Sequence, residues 1–139
     1  MASKALLALD VGERRIGVAL ADSSVRIAIA YDTILVDGTE IDQIRELLIQ
    51  EDIDVLVVGY PRNQSGEPTQ QTAYVEQFVE ALQPVDATIK YQDESLTSIK
   101  AEEILKKRKK PYEKGDIDAL AASLILQDYL EETYGREFR

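Results

Sequence analysis

The chain contains no cysteine and no histidine. Thiolate and imidazole metal sites, disulfides, and catalysis by cysteine or histidine are therefore excluded. No apolar run approaches the roughly 18 residues that span a bilayer, and no cationic segment with a long apolar stretch behind it opens the chain, so a soluble cytoplasmic protein is expected. The Walker A pattern and the spaced glycines of a dinucleotide loop are missing as well. Positive charge is scarce: 16 Lys and Arg stand against 26 Asp and Glu, a net charge of −10. Most of the surface should repel phosphates, which argues against indiscriminate nucleic-acid binding.

What remains in quantity is carboxylate. Asp and Glu suit hard cations such as Mg²⁺ or Mn²⁺, and carboxylates holding two such ions about 3.5–4 Å apart are common machinery for phosphodiester cleavage. The leading candidate is Asp10, which follows the apolar run ALLAL and opens DVGERRIGVALAD. An acid at the end of a buried strand is costly and points to chemistry, although Asp also ends strands and caps glycine turns such as that at Gly12.

At 139 residues the chain fits one domain, 1–139, with no repeat or low-complexity segment. Ala5 to Asp10 and Arg15 to Ala21 read as two strands joined at Gly12, and Val25 to Val36 as a third, in an antiparallel meander. Ile41, Ile44, Leu47 and Leu48 recur at helical spacing behind Thr39, placed as N-cap, and lead into a strand Val55 to Val58. GYPRNQSGEP is a loop, followed by a helix carrying Ala73, Phe78, Val79 and Leu82 that Pro84 ends. Ala87 to Tyr91 is a fifth strand, with Asp93 and Glu94 at its end. A helix from about Thr97 carries Ala101, Ile104 and Leu105. The last helix, DIDALAASLILQDYL, is apolar enough near its start to be buried, with Asp118 inside that turn and Asp116 suited to the cap. The class is α/β: a five-stranded mixed sheet with helices on both faces.

Asp93 and Glu94 are adjacent and must face opposite ways, so alternation alone leaves either as Asp10's partner. Asp118 suits a metal ligand or a first-turn acid favoured by the helix dipole. Arg14 and Arg15 lie beside Asp10, and only one of them should point toward the site. Lys106, Lys107, Arg108, Lys109 and Lys110 form a basic run that either draws a polyanion or merely ends a helix, where cations are favourable. Gly12 and Gly17 are read as turn and close-packing positions.

Four segments, DVGERRIGVALAD, VVGYPRNQSGEP, QDESLTS and KGDIDALAASLILQDYL, resemble in order and spacing the YqgF/RuvX family. The resemblance covers nearly the whole chain. It implies an RNase H-like fold and a nuclease linked to 5′ processing of precursor 16S rRNA and to Holliday junction resolution. It implies Asp10, Glu94 and Asp118 as catalytic, Mg²⁺- or Mn²⁺-binding acids. Nucleic-acid contacts are expected from Arg14, Arg15, Arg62, Asn63, Gln64 and the run Lys106 to Lys110. The partners implied are precursor rRNA or branched DNA, with the ribosome a further one and no membrane. A junction resolvase would act as a homodimer, whereas an RNA-trimming enzyme needs only a monomer.

The chain departs from the family at three places, one of them the short segment between the basic run and Asp118. Ser95 stands where the family has Arg after the DE pair, and Tyr60 and Arg62 replace apolar residues after the loop glycine. Two competing classes are a phosphotransferase of the sugar-kinase and actin type, for which the chain lacks a second large domain, and a non-catalytic RNA- or protein-binding module.

Overall fold

In the computed structural model, residues 3–61, 67–94, 97–108 and 111–135 are described, without the side chains of 97–99. Strand β1 (Ala5–Val11) sends Leu7, Leu9 and Val11 to one face and Leu6 and Ala8 to the other. All five are buried, so this strand must lie mid-sheet with cover on both sides. β2 (Arg15–Asp22) pairs antiparallel with β1, and β3 (Ile29–Leu35) antiparallel with β2. On the other flank β4 (Val55–Pro61) runs parallel to β1, and β5 (Thr88–Glu94) parallel to β4. The order β3-β2-β1-β4-β5 is the mixed five-stranded sheet expected from the sequence.

Helices α1 (Glu40–Gln50) and α2 (Gln70–Leu82) lay Ile44, Leu48, Val75, Val79 and Leu82 on the Leu7–Leu9 face. The long α4 (Lys114–Tyr134) lays Ala122, Ile125, Leu126 and Leu130 on the opposite face, over Leu6, Ala8, Val55 and Val57. Each fully buried Leu or Ile contributes about 2 kcal/mol, so this seam fixes α4 far more firmly than any cap. Helix α3 (Thr97–Lys107) packs chiefly on α4. Among the described residues, no helix is long and apolar enough to cross a membrane.

Three elements differ from the expectation. The fourth strand runs on through Gly59 and Tyr60 to Pro61, the opening of the expected loop, because these residues pair with Gln92, Asp93 and Glu94 of β5. The third strand starts at Ile29 rather than Val25, because the amides of Val25 and Arg26 turn back onto the Asp22 carbonyl and the Ala28 amide donates to Gln127 of α4. The apolar residues there look strand-like, but their backbone donors are taken locally. Thr39 does occupy the N-cap of α1, yet its hydroxyl donates to Asp37 and accepts from the Gln43 side chain rather than from a helix amide.

Because β1, β4 and β5 are parallel, their carboxyl ends form one rim. Such a rim is where open α/β sheets commonly bind ligands. Side chains of the first turn of α2 fasten it: Gln71 Nε2 donates to the Val11 carbonyl at 3.0 Å, and the buried Thr72 hydroxyl donates to the Pro61 carbonyl.

Candidate active site

One row across the sheet builds the site. Gly17 on β2 lies opposite Asp10 on β1 and opposite Thr33 on β3, and the pairing of Leu9 with Val58 carries Gly59 alongside Asp10 on β4. Asp10 is thus flanked on both neighbouring strands by glycine. Helix α4 crosses this row. The Gly115 carbonyl accepts from Thr33 Oγ1 at 2.5 Å. One turn on, the main chain of Asp118 sits over Gly17, so tightly that a β-carbon there would lie 1.9 Å from the Asp118 carbonyl oxygen. Ile125 covers Gly59, where a β-carbon would stand 2.8 Å from its Cδ1.

Alternation puts Asp10 on the α4 face, in line with Leu6 and Ala8. On β5, Gln92 donates to Glu132 of α4, so Glu94, two residues on, shares that face and Asp93 takes the other, exposed one. The carboxylate of Glu94 lies over Gly59, 2.2 Å from where a β-carbon would be. The partner that alternation left open is therefore Glu94.

Glu94 and Asp10 share a hydrogen bond. Burial pushes Asp10 up to about 6, with the charge of Asp118 adding to it and the hydrogen bond from Glu94 opposing it. Glu94 is pushed up to about 9 by burial, then by the charge of Asp10 and by donating to it. Two carboxylates held this close away from water cannot both ionise, and they retain one proton past neutrality. Asp118 is held differently: Arg15 Nε donates to its Oδ2 at 2.5 Å, with the two side chains 32% and 20% exposed. Among the described residues, no three carboxylates converge as a ready-made ion site.

Of the adjacent arginines, Arg15 points to the acids, as alternation required of one of them, and Arg14 is exposed in the turn. Lys106 and Lys107 end α3 and Arg108 follows, all three exposed. Arg62, Asn63, Gln64, Ser95, Lys109 and Lys110 lie outside the described residues. Asp116 is not the N-cap. Glu113 holds that place, and Asp116 closes a capping box by accepting from the Glu113 amide.

Gly59, Gln71 and Thr72 were not singled out in the sequence. Gly59 is readable as a small residue in an apolar strand, a sign of close approach. Nothing in the sequence marks Gln71 and Thr72 beyond polar residues opening a helix. The donor set, all oxygen and short of positive charge, fits a hard divalent cation between Asp10 and Glu94. A cation there would remove the repulsion that now traps a proton.

A family model described as "RuvX: Holliday junction resolvase" matches residues 4–132. A protein of Chloroflexus aggregans named "Putative pre-16S rRNA nuclease" is 43% identical over 136 residues, 94% of this chain and 96% of the relative. One of the same name from Synechocystis sp. is 39% identical over 132 residues, 91% of this chain and 87% of the relative. Among solved structures, Thermus thermophilus RuvC in complex with a Holliday junction substrate superposes with a TM-score of 0.56 at 14% identity, covering 94% of this chain and 96% of that one. This is likeness of fold, and it agrees with the RNase H-like architecture expected from the motifs. A match that runs from the first strand into the last helix, through the segments that carry Asp10, Glu94 and Asp118, makes this chain a member of the RuvX family.

Proposed function

We propose that the chain, acting as one domain over residues 1–139, is a nuclease dependent on Mg²⁺ or Mn²⁺ that hydrolyses phosphodiester bonds in the 5′ region of precursor 16S rRNA. The observation that carries this reading is the hydrogen-bonded Asp10–Glu94 pair, two half-buried carboxylates pushed upward chiefly by loss of solvent, Glu94 also by the charge of Asp10. Carboxylates shifted this strongly mark functional sites more often than structural ones. The names of the relatives support the RNA substrate.

In this reading Asp10, Glu94 and Asp118 hold the cations. When bound, these supply the Lewis acidity that activates water and stabilises the leaving oxygen, so no histidine base is required. Asp10 acts from the most rigid strand, pinned between two neighbours and tied at Val11 by Gln71. Glu94 gives up the proton it shares with Asp10 when the site is loaded. Arg15 holds the Asp118 carboxylate in one orientation. Lys106, Lys107 and Arg108 draw the polyanion toward an otherwise acidic protein. Ribosomal RNA processing would place this activity in the cytoplasm.

The second reading is a resolvase acting on four-way DNA junctions as a homodimer, favoured by the family's description and by the fold likeness to RuvC. The deciding experiment measures Mg²⁺- and Mn²⁺-dependent cleavage of a precursor 16S leader and of a synthetic four-way junction, with Asp10→Asn alongside. Cleavage of the RNA alone, lost in the variant, is the expected result. Symmetric nicking of the junction would replace it with the resolvase, and equal weak activity in both proteins would reject a nuclease altogether.

A further inference from the structure

A cavity of about 460 Å³ opens between edge strand β3, the end of α3 and the start of α4. It falls within the range of small-ligand sites, and the acid chemistry above makes no use of it. Its walls include Tyr31, Thr33, Arg108, Tyr112, Ala119 and Leu120. Tyr31 is 50% exposed on the edge strand and Tyr112 half-buried on the loop into α4, so two phenol rings from different elements border one hollow. Arg108 contributes a cation, with Lys106 and Lys107 in the turn before it.

The wall also carries the carboxylates of Asp32, Glu113 and Asp116, which face the backbone amides at the start of α4 and on β3, so a phosphate is received on the Arg108 side. Asp116 accepts from the Glu113 amide, Glu113 caps α4 in return, and Asp32 accepts from the Thr33 amide. Position completes the argument. Thr33, on the wall, stands two strand spacings, about 10 Å, from Asp10 across the sheet, with the first turns of α4 lying over the row between them. A strand that reaches both the cavity and the acids passes beside the start of α4, so the two lie within a few nucleotides of each other.

We propose that this cavity binds one unpaired nucleotide of the substrate strand, its base against Tyr31 and Tyr112 and its phosphate on Arg108. The proposal rests on the nuclease reading for the path of the strand. Aromatic rings receive an unstacked base of any identity, and a guanidinium beside them receives its phosphate. The pocket thus requires a single-stranded or locally opened substrate at a fixed distance from the scissile bond, which fully paired duplex does not offer.

The test uses the full chain carrying Asp10→Asn, so that binding is read without cleavage, and a single-stranded RNA hexamer beside an abasic hexamer with the same phosphates. Binding is followed by anisotropy, and ring and amide shifts by NMR. The expected result is a shift of the Tyr31 and Tyr112 ring signals with the RNA hexamer. Affinity should fall tenfold or more in Tyr31→Ala/Tyr112→Ala, stay near normal in Tyr31→Phe/Tyr112→Phe, and be low for the abasic strand in every protein. Equal affinity for both hexamers, or unchanged affinity in the alanine variant, would overturn the pocket. Failure of the nuclease reading shows separately, as absent cleavage by the unmodified chain while the ring shifts persist.

Discussion

The Asp118 carbonyl occupies the space that a side chain on Gly17 would need, with a β-carbon there falling 1.9 Å from the oxygen. The obstacle is backbone, held by the whole seam of α4, and cannot rotate away. Gly17→Ala must therefore push α4 off the sheet. The expected cost is about 2–3 kcal/mol of stability, with loss of cleavage because Asp118 moves with the helix. Urea unfolding of the variant checks this; an unchanged midpoint would mean that α4 sits further from β2 than described.

Gly59 offers the opposite case. A β-carbon there meets Glu94 Oε2 at 2.2 Å and Ile125 Cδ1 at 2.8 Å, both far ends of flexible side chains. Gly59→Ala is expected to cost no more than about 1 kcal/mol and yet to lower cleavage at least tenfold, since Glu94 is displaced from Asp10. Paired unfolding and activity measurements on the two glycine variants should separate a folding defect from a site defect.

The sheet was legible because β1 and β4 are apolar on both faces while the helices show helical spacing. Asp10 was legible because an acid stands out at the end of ALLAL. What residues alone left open was Asp93 against Glu94, because alternation fixes that two neighbours diverge but not which one faces α4. That needed Gln92 seen on Glu132. The ion pair of Arg15 with Asp118 joins residues 103 positions apart, and no local pattern encodes it. The late start of β3 was hidden for a similar reason: Gln127, on a distant helix, takes the Ala28 amide.

Arg15 is expected to act through Asp118 rather than through folding. With about a third of its side chain exposed, its ion pair is worth no more than about 1 kcal/mol. Loss of an outer partner commonly lowers metal affinity or activity by roughly 10–100-fold. Arg15→Ala should therefore show near-normal unfolding, weaker Mg²⁺ binding by calorimetry and reduced cleavage. Arg15→Lys should recover only part of this, since an ammonium lacks the planar fork. Normal Mg²⁺ affinity in Arg15→Ala would show that Asp118 needs no positioning.

The last expectation concerns pH and metal together. Glu94 titrates at about 9 in the folded chain against an ordinary 4.5, and Asp10 at about 6 against 3.8. Both shifts are upward, so between the ordinary and the folded values the native state holds more protons than the unfolded one. Stability contributed by this pair must then fall as pH rises, through roughly pH 4 to 6 for Asp10 and pH 5 to 9 for Glu94. In EDTA, Tm is expected to decline from pH 5 to pH 9. Added Mg²⁺ should raise Tm, and more at pH 8.5 than at pH 5.5, because the cation competes with the trapped proton. Glu94→Gln removes the acid that carries most of the slope, so it should flatten the decline and shrink the Mg²⁺ response. Scanning fluorimetry of both proteins across pH, with EDTA or Mg²⁺, measures all four quantities. A Mg²⁺ response equally large at pH 5.5, or undiminished in Glu94→Gln, would place the cation somewhere other than this pair.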